Sequence, residues 1–141
     1  MANTTSVSQQ YKLDSMTAIL PGGISTLKAA LYLASATTDG TNTAYTATGE
    51  VSGTGYTAGG VAVTAATAPA LSGSTVCWTP SAPIVYSGVT LATAFDALMI
   101  YDTARTNKAI GVWNFGSQTI TAGTLTITMP ANDASNALLR S

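Results

Sequence analysis

The chain has no histidine, one cysteine and, in 141 residues, only five basic and six acidic side chains. Without histidine there is no imidazole general base, no serine–histidine relay and no histidine-ligated metal. The lone Cys77 excludes an internal disulfide and a cysteine-based zinc site. Its setting, "TVCWT", reads as a strand interior and therefore as a packed core thiol. The basic residues Lys12, Lys28, Arg105, Lys108 and Arg140 are scattered. They form no electrostatic footprint for DNA or RNA, so no nucleic-acid partner is expected. The N-terminal stretch lacks a basic start followed by an apolar core, and no apolar run approaches the length of a membrane span. The expectation is therefore no signal peptide, no membrane partner and assembly in a cytoplasm.

Charged residues make up 8% of the chain, about a third of the ordinary share, whereas hydrophobic residues make up 46%. In place of ions there are 25 threonines and 24 alanines. Threonine suits a half-buried pleated surface, and a surface poor in lysine and glutamate lacks the charges that keep monomers apart. Much of the surface is therefore expected to be covered by partners. The length fits one domain with its own core.

Along the chain, residues 1–12 read as an extended polar arm, and 13–23 as a short apolar segment, a helical turn or two, stopped by Pro21, Gly22 and Gly23. Together, 1–25 form the N-terminal part and 26–141 the β domain. Alternation over 25–35 favours a strand, and 36–60 reads as a long loop. Further strands are expected at 60–67, 74–80, 82–90, 92–103, 109–116 and 118–130, with Pro80 and Pro83 marking a turn. The last of these alternates Ile120, Leu125 and Ile127 with threonines around "TAGT", a hairpin or a long strand with a glycine break. The final "NDASNALLRS" offers Asn132 or Asp133 as an N-cap for a helical turn or two, or simply trails off. Short strands separated by regular turn signals predict an all-β fold: a single antiparallel β-sandwich or barrel-like domain with an extended N-terminal arm.

The run "GEVSGTGYTAGG" (49–60) tests whether the chain holds an anion. Gly49, Gly53, Gly55, Gly59 and Gly60 resemble a phosphate cradle, but no lysine follows the last glycine and the next residues, "VAVTAAT", alternate as a strand. Without a helix N-terminus the run is better read as a bulged entry into a sheet, with Glu50 accepting from nearby backbone N–H or hydroxyl groups. "TDGTN" (38–42) lacks the ligand spacing of a calcium loop and reads as a plain turn. Asp14, Asp39, Glu50, Asp96, Asp102 and Asp133 are isolated in sequence, so no carboxylate pair for glycoside hydrolysis is indicated. No catalytic residue, cofactor, metal or small-molecule substrate is expected. Trp78, Tyr86, Tyr101, Trp113 and Phe115 fall on strands and read as packing residues. Thr4, Val7, Gln9 and Tyr11 of the arm, with Tyr45 and Tyr56 of the loop, are the expected partner contacts.

In order, "TAYTATGEVSGTGYTAGGVAVT" (43–64), "VCWT" (76–79), "LMIYDT" (98–103), "KAIGVWNFG" (108–116) and "TAGTLTITMP" (121–130) resemble a group of small structural proteins of tailed bacteriophages. The likeness covers residues 27–130, while the first 25 match no pattern of that group. It implies a non-enzymatic virion protein on the capsid exterior, a decoration or cement protein that bridges the major capsid protein. Self-association, as a trimer at three-fold positions, is the corresponding oligomeric expectation. Two alternatives stand beside it: a tail or neck ring subunit, and a carbohydrate-binding module in which Tyr45, Tyr56 and a tryptophan stack on sugar rings.

Overall fold

The computed structural model describes residues 3–141. The described residues are mostly β, with one α-helix, α1 (Gln9–Ile19), and seven strands: β1 (Leu27–Leu33), β2 (Val61–Ala62), β3 (Ala70–Ser72), β4 (Thr75–Trp78), β5 (Ile84–Asp102), β6 (Lys108–Ile127) and β7 (Leu139–Arg140). Both sheets are antiparallel, one of four strands in the order β2-β1-β5-β6 and one of three in the order β3-β4-β7. Composition marks no boundary, yet the described residues group into two compact units whose segments interleave along the chain.

The first unit joins the residues up to Ile24 with Thr64–Ala82 and Met129–Ser141. Its small sheet buries Val76, Cys77 and Trp78, with the indole N–H donating to the Thr67 carbonyl at 3.1 Å. Cys77 is thus the packed thiol that its sequence setting indicated. The C-terminal residues form one helical turn, in which the Asp133 carbonyl accepts from the Ala137 amide at 3.0 Å, and they do not trail off. The Asp133 side chain caps this turn by accepting from the Ser135 and Asn136 amides, and the chain returns as β7 against β4.

The extended arm also needs correction. Residues 3–8 lack regular structure, but the helix starts at Gln9 and continues to Ile19, where Pro21 and a glycine pair stop it. Alanine and straight-chain residues favour a helix over this stretch even though its apolar residues are not periodic. No residue of α1 is buried.

The second unit, Ser25–Val63 and Pro83–Thr128, contains the larger sheet. β1 is a strand as expected, and its apolar run is buried on both faces. The four expected strands from 82 to 130 are two long ones, β5 and β6. They form a hairpin closed by a 3₁₀ turn, Thr103–Arg105. Asp102, only 2% exposed, caps this turn by accepting from the Ala104 amide at 2.9 Å, and it pairs with Arg105 at 3.3 Å. Gly116, expected to end a strand, and Gly88, expected within one, both have positive φ inside continuous strands, with register shifts nearby. Pro80 and Pro83 bracket a bend at 81–82 that connects β4 to β5, strands of different sheets.

Candidate functional site

Segment 36–60 has no strand of its own and is attached to the second unit by isolated bridges, Tyr32 with Glu50 and Thr54 with Thr90. The Leu33 amide donates to the Gly49 carbonyl and the Val51 amide to the Leu31 carbonyl, so residues 49–51 lie along β1 beyond the short β2. The glycines permit this close approach. A Cβ on Gly60 would sit 1.7 Å from the Ala29 carbonyl oxygen, and one on Gly53 would sit 2.1 Å from that of Thr90. Gly49, Gly55 and Gly59 belong to the same seam.

At its centre is the Glu50 carboxylate. Its Oε2 accepts from the Tyr45 hydroxyl at 2.5 Å, and its Oε1 accepts from the Tyr56 hydroxyl at 2.7 Å and from the Gly59 amide at 2.7 Å. Bonds to an ionised acceptor are the strong class of hydrogen bond. The Tyr56 oxygen also accepts from the Leu31 amide at 3.0 Å, tying the carboxylate to β1 through a single phenol.

Three more tyrosines complete the arrangement. Tyr101 donates to the Gly59 carbonyl, Tyr86 to the Ala29 carbonyl and Tyr32 to the Thr46 carbonyl, at 2.6, 2.6 and 2.7 Å. Tyr45 stacks on Tyr101 with ring centroids 4.8 Å apart, and Tyr56 on Tyr86 at 6.0 Å. Burial pushes the Tyr32 phenol up to about 12. The phenols of Tyr45 and Tyr56 are also raised, first by burial and then by their bonds to Glu50; Tyr86 and Tyr101 are raised by burial and then by the Glu50 charge. At neutral pH all five remain protonated donors, so the carboxylate is a fastener with its ligands supplied by the fold.

Glu50 thus accepts from a backbone N–H and from hydroxyls, as its sequence setting indicated. Tyr45 and Tyr56 are half-buried and directed at this carboxylate. Thr4, Val7, Gln9 and Tyr11 are exposed, before or within the first turn of α1. Tyr45 and Tyr56 belong to the second unit and these four residues to the first. Tyr32, Tyr86 and Tyr101 were read only as strand residues or core. The signal that could have found them is general: a buried tyrosine must place its hydroxyl on an acceptor.

Beside the seam lies a cleft of about 320 Å³ lined by Ser35, Thr37, Thr38, Asn42, Thr46 and Thr48, among others. Asp39 at its margin forms the plain turn expected of "TDGTN", accepting from the Thr41 amide and hydroxyl, which lower its pKa. No group of three or more metal-ligating acids or thiols is found among the described residues. No helix among them is long and apolar enough to cross a membrane. No family model, curated protein or solved structure matches the chain.

Proposed function

We propose that this chain is a structural protein of a tailed-phage virion, a decoration or cement protein on the head exterior that bridges major capsid proteins. In this reading the two antiparallel sheets build a sandwich- or barrel-like body, and the N-terminal segment reaches a capsid neighbour. The resemblance over residues 27–130 supports the assignment. So does the use of its central motif, in which Glu50 and the glycines serve the fold and leave no spare reactive group.

The observation that carries the proposal is α1. A helix of 11 residues with no buried residue and no side-chain cap is marginal in water by itself. Val7 and Tyr11, 61% and 67% exposed, lie just before and within it. The inner residues of α1, Leu13, Met16 and Ile19, are half-buried and the helix touches β3 and β4 of its own unit. This leaves the exposed first turn and the residues before it to meet a partner, and the resemblance names that partner as the major capsid protein. Tyr45 and Tyr56, on which the sugar-platform alternative rests, each have a ring stacked on another tyrosine and a hydroxyl on Glu50. That is the arrangement of packing residues.

Deleting residues 2–12 tests the proposal. Particles assembled with the truncated chain are expected to carry fewer copies and to lose heat resistance. Full occupancy with unchanged heat resistance would overturn the role of this segment. Quantifying the chain in purified particles separates head from ring: a copy number comparable to that of the major capsid protein supports the shell, and a handful per particle assigns a neck or tail ring.

A further inference from the structure

The cleft beside the seam is built by three turns that follow β1. The Ala36 amide donates to the Leu33 carbonyl, the Asn42 amide to the Asp39 carbonyl and the Glu50 amide to the Ala47 carbonyl, at 2.9, 3.1 and 3.3 Å. Two further bonds moor these turns to the strand: the Leu33 amide to the Gly49 carbonyl at 2.9 Å, and the Tyr32 hydroxyl to the Thr46 carbonyl at 2.7 Å. Gly49 forms one wall, with a φ of +81°, and a Cβ on it would sit 2.6 Å from the Ala36 Cβ. The cleft is thus set by the fold before any ligand arrives, as small-molecule sites ordinarily are.

Its polar lining is uncharged. Four threonines, a serine and Asn42 supply it, and no Lys, Arg, Asp, Glu or aromatic ring is among the lining residues. The Thr46 hydroxyl accepts from the Thr48 amide at 3.2 Å, and the Asn42 side-chain oxygen from the Asp39 amide at 2.7 Å. Among the described residues, the hydroxyls of Ser35, Thr37, Thr38 and Thr48 and the Asn42 Nδ2 make no hydrogen bond within the chain. Asp39 and Glu50 are close in sequence, but Asp39 Oδ1 is taken by Thr41 and both Glu50 oxygens by the seam. A phosphate or carboxylate therefore finds no cation in the lining, and a metal ion no carboxylate. A wholly apolar ligand would strip water from these hydroxyls without replacing its hydrogen bonds. Each hydroxyl both donates and accepts, and each threonine sets a methyl beside its hydroxyl. The complement of such a surface is a neutral molecule that itself carries hydroxyls and C–H groups side by side.

We propose that this cleft binds one ring of a neutral sugar, drawing on the hydroxyls of Thr38 and Thr48 and on the Asn42 Nδ2. Volume sets the size: about 320 Å³ lies at the lower end of the range of about 300–1,000 Å³ for small-molecule sites, so a single ring is accommodated and a long chain is not. With no aromatic platform and no charge, binding is weak, with a dissociation constant of about 1–10 mM. The site is separate from the Tyr45 and Tyr56 rings, whose faces and hydroxyls are spent on the seam. A free monosaccharide and the terminal residue of a glycan present the same hydroxyls and differ at the anomeric oxygen. The inference concerns the second unit alone and does not depend on the chain occupying a virion.

Amide chemical-shift titration of the full chain tests it. The probes are glucose, galactose, mannose and N-acetylglucosamine, each as the free sugar and as the methyl glycoside, with glycerol as the control for bulk hydroxyl. Saturable shifts at amides within 35–49 are expected for at least one sugar and not for glycerol. A methyl glycoside that binds as well as its free sugar assigns the end of a glycan chain, and loss of binding on methylation assigns the free sugar. The double variant Thr38→Val, Thr48→Val removes two hydroxyls and keeps the shape. It is expected to bind at least about fivefold more weakly with an unchanged thermal midpoint, whereas the double serine variant binds as the wild type does. No saturable shift up to about 100 mM sugar, saturable shifts confined to residues outside 35–49, or shifts that glycerol reproduces would overturn the proposal. So would a folded double valine variant of unchanged affinity. If that variant does not fold, the wild-type titration against glycerol decides. A chain that binds sugar in this way yet is absent from virions overturns the virion reading and leaves this one standing.

Discussion

Glu50 is one of six acidic residues, and its two oxygens collect three donors from a loop that has no strand of its own. Glu50→Ala removes the acceptor and leaves two phenols and an amide in a partly buried setting. The expected loss is about 2–4 kcal/mol in denaturant unfolding, with faster exchange at the Gly59 amide. Glu50→Gln keeps the shape and one carbonyl oxygen, so it should cost about half as much. An Ala variant as stable as the wild type would show that the seam is held by packing alone. The phenols make a second prediction. Their folded values lie above the ordinary 10.0, so the unfolded chain ionises first, and their contribution is whole below pH 10 and lost as pH rises through the folded values. The thermal midpoint is therefore expected to be insensitive to these groups near neutrality and to fall above pH 10. Tyr32 should titrate near 12 by phenolate absorbance. If these five phenols ionised fully near pH 10 in the folded chain, the assigned bonds would be wrong.

At the scale of elements, the glycines divide into two kinds that the sequence does not distinguish. Gly88 has a φ of +61° with open space where a Cβ would go, whereas a Cβ on Gly60 would strike the Ala29 carbonyl. Gly88→Ala should therefore cost only the strain of a left-handed alanine, about 1–2 kcal/mol. Gly60→Ala adds a collision with backbone and is expected to cost more than about 3 kcal/mol or to abolish soluble expression. Equal effects in thermal melts would refute this division. The same ambiguity limited what could be read from the sequence. β1 and β4 were legible because alternation or a compact apolar run is bracketed by turn residues. β5 and β6 were seen only in pieces: in β6 a glycine inside a bulge, Gly116, looks like a glycine at a strand end, and in β5 the alternation breaks near Leu91, where the register shifts. α1 was read as no more than a helical turn or two after residue 12, and its start at Gln9 was missed because the polar residues of its first turn read equally well as an extended arm. In the site, Glu50 was read as an acceptor, but Tyr45 and Tyr56, within a dozen residues of each other, were read as partner contacts and not as its donors. Tyr86 and Tyr101 arrive from β5, and only strand pairing, which no local pattern encodes, brings them to the loop.

For the whole molecule the controlling fact is the scarcity of charge, 8% of residues with a formal net charge of −1. Associations of most soluble proteins weaken in salt because charged rims steer and hold them. Here the proposed contact of the N-terminal segment draws on apolar burial and uncharged hydrogen bonds, because residues 3–11 carry no charge. Raising sodium chloride to about 1 M, where the screening length falls to about 3 Å, is expected to change the affinity of the chain for stripped particles by less than about threefold. Sulfate, which strengthens apolar burial by its exclusion from protein surfaces, is expected to tighten it. Co-sedimentation with particles in the two salts gives both numbers. A tenfold weakening in chloride would mean that the few charges present, Lys12 beside the segment first among them, hold the contact, and the argument from missing charge would fail.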